Sequence, residues 1–439
     1  MIRPRLSALL AGLGCLAAGP ALARPVAPLL AHQVPLVIDG AATAWILTST
    51  ALVLLMTLPG LALFYGGMVR RKNIIATIAH STAALVIVTV LWFVAGYSLS
   101  FSKGPGGVDG FIGGLQVALL DGVRVDTAHG LAPGLPEFLW IAYQLTFAII
   151  TPALIAGAFA ERMKFSASVL FFVLWHLIVY VPICHQVWGG GWLGGLGVLD
   201  FAGGAVVHVN AGVAGLVCAL VLGPRQGYGR DNMAPNNLAL TAVGAGLLFV
   251  GWLGFNAGSA WAADGIAAIA ALNTLLAAAA AAIGWTAIEW IGHKRPTLLG
   301  LLSGIVAGLV AITPAAGLVD PKGAFLIGLL AGPACYAAAV WLKRAFRYDD
   351  SLDAFGVHGV GGIVGALLTG VLATVAVNPA AQGASLANQA IGLVAVIAWS
   401  GIGTFLILMV CKYTTGLRVT KEQEIEGLDY TQHGETLHP

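Results

Sequence analysis

The sequence predicts an all-α polytopic membrane protein: eleven transmembrane helices, arranged as two five-helix halves in inverted repeat plus one extra helix. Three observations lead there. The 439 residues are 59% hydrophobic and 9% charged, with a mean hydropathy of +0.90, whereas soluble domains carry about 25% charged residues. Lysine and arginine fall in alternate connections between apolar segments. One histidine-centred stretch is written twice, once in each half of the chain.

Residues 1–23 read as a signal peptide, with Arg3 and Arg5, an apolar run from Leu6 to Ala18, and the small-residue cleavage site Ala21-Leu-Ala23. An extra membrane helix is the alternative, but that run is too short, since about 20 apolar residues are needed to span. Residues 24–414 form the expected membrane domain, with apolar segments centred near residues 55, 87, 149, 175, 213, 248, 278, 306, 332, 364 and 401. The inverted repeats cover about 41–223 and 237–378, the eleventh helix covers about 388–414, and residues 415–439 are a cytoplasmic C-terminal tail. The connection 101–135 is Gly/Pro-rich and too polar to span.

Charge placement sets the orientation. Fifteen of the 21 Lys and Arg residues lie in alternate connections: Arg70, Arg71 and Lys72; Arg162 and Lys164; Arg225 and Arg230; Lys294 and Arg295; Lys343, Arg344 and Arg347; and Lys412, Arg418 and Lys421. The positive-inside rule then puts the mature N-terminus outside and the C-terminus in the cytoplasm. A net charge of +2 and no phosphate-binding loop give no reason to expect a nucleic-acid partner or a cofactor. The five cysteines have no CxxC spacing, Cys15 lying in the leader and Cys184, Cys218, Cys335 and Cys411 in apolar segments, so neither a disulfide framework nor a zinc site is expected.

The duplicated stretch runs from Asp200 through His208 to Gly212 and Gly215, and again from Asp353 through His358 to Gly362 and Gly365. In each copy an Asp and a Phe precede the histidine and glycines follow it at plus four and plus seven, offsets that share one helix face. A lone histidine on an apolar face is more often a satisfied core residue, and His80, His176 and His185 are read that way. Two copies in matching context reverse the weighting, because ionisable groups inside a membrane are costly and mark functional sites. The copies lie on the fifth and tenth spans and so run in opposite directions, which is the inverted-repeat design with its site near the midplane. Most of the 59 glycines are read as close helix packing.

At this point the residues resemble a known family. Residues 40–430 are similar to the ammonium transporter (Amt/Mep/Rh) family, on the bacterial Amt side, through Leu63-Phe-Tyr-Gly-Gly67, Gly157-Ala-Phe-Ala-Glu-Arg162, Val187-Trp-Gly-Gly-Gly191, Asp200-Phe-Ala-Gly-Gly204 and Gly254-Phe-Asn-Ala-Gly-Ser259. The stretch Asp349 to Gly359 and the tail from Gly416 to Asp429 extend the match. The resemblance implies a homotrimer with one narrow apolar pore per subunit. It implies that Trp188 and Phe147 form an external aromatic cage for ammonium, or its analogue methylammonium, with Ser259 as hydrogen-bond acceptor. It further implies that Phe147 and Phe255 are stacked to close the cage, that His208 and His358 line the pore, and that Asp200 is a buried carboxylate beneath the cage. An Asp at that position is also a natural cap for the broken start of the fifth span. Trp252 and Tyr65 are pore-adjacent packing. Tyr143 stands one turn before Phe147 where relatives favour Phe, which implies a more polar entrance. The tail implies a PII-type signal protein as partner.

The leading expectation is therefore a transporter that selects ammonium outside, strips a proton and passes ammonia along the histidines, and it is not an enzyme. An ammonium sensor acting through a partner is the alternative; such sensors carry long signalling extensions, whereas this chain runs about 23 residues beyond Gly416. A metalloenzyme using the two histidines lacks a third inward ligand of suitable spacing.

Overall fold

The computed structural model describes residues 32–437, so the expected signal peptide and Cys15 lie outside the described residues. Apolar helices follow one another as α1 Gly40–Met68, α2 Arg71–Phe101, α3 Glu137–Phe159, α4 Phe165–Leu196, α5 Gly204–Leu222, α6 Leu238–Gly258, α7 Gly265–His293, α8 Leu298–Ile312, α9 Pro321–Phe346, α10 Phe355–Leu372 and α11 Leu386–Thr414. Ten of these are long and apolar enough to cross a membrane, and α8 is the exception. Short polar side chains start several of them: Asp39, Asp264, Thr297, Asp320 and Ser385 each accept from backbone N–H groups of the first turn.

The shortness of α8 has a physical reason. Its 15 residues rise only about 22 Å at 1.5 Å per residue, less than the ~30 Å hydrocarbon core. Pro314 has no N–H to continue the ladder, and the chain proceeds as a buried turn through Ala315 and Ala316 to Val319. Asn273 Nδ2 donates to the carbonyls of Ala316 and Val319, and Asn378 Nδ2 donates to that of Gly317. Irregular backbone is tolerated at membrane depth when it is enclosed in protein and its polar groups are met in this way.

Beside the helices runs one short two-stranded antiparallel ribbon. β1 Gln33–Pro35 pairs with β2 Thr127–His129, Val34 opposite Ala128. Beneath it the fully buried Glu137 accepts from Gln33 Nε2 at 2.8 Å, Thr127 Oγ1 at 2.9 Å and Tyr97 OH at 3.0 Å.

The opposite face carries the tail and a buried charge network. Glu161 accepts from Arg70 Nε at 2.7 Å and from Arg225 Nη1 at 3.3 Å. Arg225 also grips Asp349 with Nε and Nη2, both at 2.9 Å, and with its backbone N–H at 2.8 Å. The tail folds back onto this face as α12 Lys421–Glu426 and α13 Leu428–His433. Arg418 donates to the carbonyls of Leu222 and Pro224 and to Glu424, while Glu424 accepts from Gln226 N–H. Asp429 accepts from Ala76 N–H at 2.8 Å, and Asn73 Oδ1 accepts from Leu428 N–H at 2.9 Å, which ties α13 to the start of α2.

Candidate functional site

The site begins with how the two histidines are held. Asp200 stands eight residues before His208, and its two carboxylate oxygens accept from the N–H groups of Gly203, Gly204, Ala205 and Val206 at 2.6–3.0 Å. Asp350, also eight residues before its histidine, accepts from Ala354 and Phe355 N–H at 3.1 and 2.7 Å. The structural counterpart of Asp200 is thus Asp350, and not Asp353, which the sequence pattern pairs with it; Asp353 instead forms an ion pair with Lys343. Each carboxylate sits at a helix start, where free N–H groups and the dipole favour negative charge. Both helices open with a wide π-type turn, Gly204–Val209 and Phe355–Gly359, and each turn contains the histidine.

The glycine strips let these helices touch. A Cβ at Gly212 would run into the backbone of Gly359, and one at Gly362 would meet the Gly204 carbonyl. That close approach brings His208 Nδ1 and His358 Nδ1 within 3.3 Å although 150 residues separate them, with ring centroids 5.3 Å apart. One nitrogen must donate and the other accept, which sets complementary tautomers. His208 also lies against Trp252 at 5.3 Å, and the indole N–H of Trp252 donates to Thr313 Oγ1 at 2.9 Å.

Above the imidazoles the aromatic residues form a lid. Phe147 and Phe255 have ring centroids 4.2 Å apart, and Phe255 lies 5.9 Å from His208. Phe147 meets Trp188 edge-on at 5.9 Å. Trp188 is fixed by its indole N–H, which donates to the Asp200 carbonyl at 2.8 Å. On the side away from the tail these residues border a cavity of about 430 Å³, lined among others by Trp188, Phe147, Asp200 and Ser259. Below the lid a chamber of about 10 Å³ is lined by His208, His358, Trp252 and apolar side chains such as Leu154. It is of the size that holds about one water-sized molecule. His358 and Val306 line that chamber and also a further space of about 50 Å³ toward the tail face, beside Tyr65 and Asp353. His208 Nε2 is enclosed with no hydrogen-bond partner among the described residues.

The sequence-selected residues are therefore brought to one line: cavity, phenylalanine pair, imidazole pair. One expectation needs adjustment. The Tyr143 hydroxyl is buried and faces the carbonyls of Gly254 and Phe255 at 2.8 and 2.9 Å, with Ser259 Oγ at 3.4 Å, so it is turned onto protein groups. Asp200 lines the cavity and its carboxylate caps the start of α5, so the two roles weighed for it are compatible. Tyr65 donates to the Leu154 carbonyl at 3.1 Å, as packing requires.

Sequence reasoning missed Trp140, Gln144 and Trp261, which also line the cavity. Trp140, Gln144 and Phe147 follow the i, i+4, i+7 spacing of a single helix face, a signal available once Phe147 was chosen. Trp261, in the turn after α6 with φ +59°, lies against Trp140 at 4.1 Å and had no periodicity to reveal it.

With this geometry in view, comparison with known proteins gives a consistent picture. Residues 44–437 match the Ammonium Transporter Family. An ammonium transporter of Bacillus subtilis (strain 168) is 49% identical over 405 residues, covering 90% of this chain and 98% of the relative. One from Aquifex aeolicus (strain VF5) is 49% identical over 411 residues, covering 91% and 94%. Among solved structures, Saccharomyces cerevisiae Mep2 superposes with a TM-score of 0.80 at 36% identity, covering 88% of this chain and 89% of that one. A sensor Amt protein gives a TM-score of 0.82 at 29% identity, covering 90% and 98%.

Proposed function

Because this chain belongs to the ammonium transporter family, a family of membrane transporters and not of enzymes, we propose that it gathers ammonium in the aromatic cavity, removes a proton, and conducts ammonia past His208 and His358 into the cytoplasm. The observation that carries this reading is the imidazole pair at 3.3 Å directly beneath the Phe147–Phe255 lid. A chamber this small and apolar favours a neutral, water-sized molecule over a hydrated ion, since each ion removed from water costs several kcal/mol, roughly. Trp188 and Phe147 supply aromatic faces for the cation. Ser259 Oγ donates its proton to the Phe255 carbonyl at 2.9 Å and has the Tyr143 hydroxyl at 3.4 Å, which still leaves a lone pair for an ammonium N–H. Asp200 lines the same cavity and holds Trp188 through its backbone carbonyl. Phe255 and Trp252 act as gate and wall. The sensor alternative is not favoured, because relatives at 49% identity are named transporters and the sensor structure is 29% identical.

The remaining parts of the reading are a leader over 1–23, membrane domain over 24–414 in inverted halves, and tail over 415–439, with the tail face cytoplasmic in a bacterial inner membrane. The matching eight-residue spacing of Asp200 and Asp350 from their histidines supports the repeat. A homotrimer is the assembly carried by the family resemblance. Uptake of radiolabelled methylammonium, with simultaneous current recording, in vesicles containing the purified protein tests the transport reading. Absence of uptake above empty vesicles would overturn it.

Two results are expected of variants. Trp188→Leu removes the better cation–π face, worth about 1–2 kcal/mol when partly desolvated. The half-saturation concentration for methylammonium should then rise roughly 5- to 30-fold. An unchanged value with unchanged competition by potassium counts against the cage. Truncation after Lys412 removes Arg418, Glu424 and Asp429 and with them the docked tail; it should abolish retention of a PII-type signal protein. Undiminished retention by the truncated form would exclude the tail as the regulatory surface.

A further inference from the structure

His185 stands three residues before Trp188 in the same turn of α4, and its ring makes two contacts that fix where its protons are. Nδ1 lies 2.9 Å from the Ser100 carbonyl oxygen, and Nε2 lies 2.6 Å from the Asp109 carbonyl oxygen. A carbonyl oxygen accepts and never donates, so each contact is a hydrogen bond only if that ring nitrogen carries a proton. A neutral imidazole has a single N–H. Its other nitrogen would hold a lone pair against a carbonyl lone pair, in a site where the residue is only 1% exposed. His129 on the neighbouring ribbon shows the contrast. Its Nε2 meets the Phe101 carbonyl and its Nδ1 accepts from Leu131 N–H, so a neutral ring satisfies both.

The surroundings of His185 suit a cation. It sits in the last turn before the helix breaks at Gly189, where free carbonyls and the dipole favour positive charge. Gly189 makes room for the ring, because a Cβ there would collide with the Ser100 carbonyl and crowd His185 Nδ1. The charged and titratable groups nearby are Asp109 and Lys103 on the external connection and the buried thiol of Cys184 on the same helix. The Asp109 carboxylate accepts from Gly104 N–H, and among the described residues the partners of the His185 ring are the two carbonyls.

Resting on the transport reading only for the role of Trp188, we infer that His185 is held as an imidazolium and is a positioning residue for the aromatic cage. Its two donors fasten the end of α2, at Ser100, and the external connection, at Asp109, to the turn that presents Trp188. Trp192 N–H donates to the Gly110 carbonyl at 2.9 Å and extends the same seam. On its other side the turn is tied by the Trp188 indole N–H to the Asp200 carbonyl. With one His185 donor lost, the seam loses one of its ties and the indole is held from one side.

Solid-state NMR of the full chain in vesicles, isotope-labelled in the histidine ring nitrogens and the serine carbonyl carbons, identifies His185 by its coupling to Ser100. At about pH 7, where a free imidazole is mostly neutral, both nitrogens of that ring should give protonated resonances. One unprotonated nitrogen on that ring overturns the inference. His185→Gln offers one donor nitrogen and turns an oxygen toward the second carbonyl. Its half-saturation concentration for methylammonium should rise roughly 3- to 10-fold, below the roughly 5- to 30-fold of Trp188→Leu, because the cation–π face is displaced and not removed. The maximal rate should change less, since the chamber at His208 and His358 is untouched. An unchanged half-saturation refutes the positioning role. So does a lower one, which would mean that the positive charge had been opposing the bound cation. If the Gln variant does not fold, His185→Asn takes its place in the uptake comparison. If wild-type vesicles take up no methylammonium, it is the transport reading that fails, and the wild-type spectrum still decides the state of His185.

Discussion

His208→Asp is expected to turn a potassium-tight pore into one that leaks potassium. The paired imidazoles share a hydrogen bond at 3.3 Å in a chamber of about 10 Å³ otherwise lined by apolar and aromatic side chains. Neutral rings offer a passing ammonia a lone pair or an N–H, but they do not repay a cation for its lost water. A carboxylate about 4 Å from a potassium ion contributes ~4 kcal/mol at an effective dielectric of about 20. The Asp side chain is also smaller than the imidazole, which leaves room for part of the ion's hydration shell. The carboxylate's own desolvation takes back some of the gain, so the expected rise in potassium current is on the order of tenfold or more, in line with about 1.4 kcal/mol per decade. The double variant His208→Asp/His358→Glu should leak further. Recordings on vesicles with potassium as the sole cation decide the matter. Equal, small potassium currents in wild type and variant, with ammonium currents intact, would remove the histidines as the selectivity element.

Breaking the Arg225–Asp349 contact is expected to be the most destabilising single change on the tail face. Asp349 is 1% exposed and Arg225 8% exposed, and three hydrogen bonds join them. Asp349→Asn leaves the guanidinium enclosed with Glu161 at 3.3 Å as its remaining acidic partner. Removing one member of a buried pair costs about 3–5 kcal/mol, whereas replacing both by apolar groups is often near neutral. Thermal inactivation in detergent should therefore be much faster for Asp349→Asn, and Arg225→Met/Asp349→Leu should be less harmed than the single variants. The pH dependence has a definite sign. Burial pushes the Asp349 carboxyl up, but the Arg225 hydrogen bonds and charge outweigh it and hold the group below its ordinary value. A depressed carboxyl stabilises the fold above its unfolded pKa and loses that contribution as pH falls through the folded value. Its neighbour Asp350 works in the opposite sense, pushed up to about 6 by burial and then by the Asp353 charge. The informative quantity is accordingly the difference between wild type and Asp349→Asn, which should be widest near neutral pH and shrink below about pH 4, the ordinary carboxylate range. A gap that stays constant down to acid pH would show that the ion pair does not contribute to stability.

What the sequence by itself determined is what depends on composition and on short spacing. Long apolar runs report a membrane solvent whatever they pack against, and glycines at plus four and plus seven mark a helix face wherever that helix goes. The histidine copies, Trp188, Phe147, Phe255 and Ser259 were legible on those grounds and through motif resemblance, and the structure brings them to one line. Tertiary structure alone decided which polar atom meets which. Asp350 and not Asp353 caps the second histidine helix, because the turn between them gives Asp353 a positive φ of 59° and turns it to Lys343. Pro314 marks the end of the eighth apolar segment locally, but the buried turn that follows is possible only because Asn273 and Asn378, from distant parts of the chain, satisfy its carbonyls. The Tyr143 hydroxyl is spent on α6 and the Gln144 oxygen is not, although the two residues are adjacent in α3. A hydrogen bond is decided by atoms within about 3 Å, and for Tyr143, Asn273 and Asn378 those atoms come from residues 43 to 111 positions away, where no local pattern can point to them.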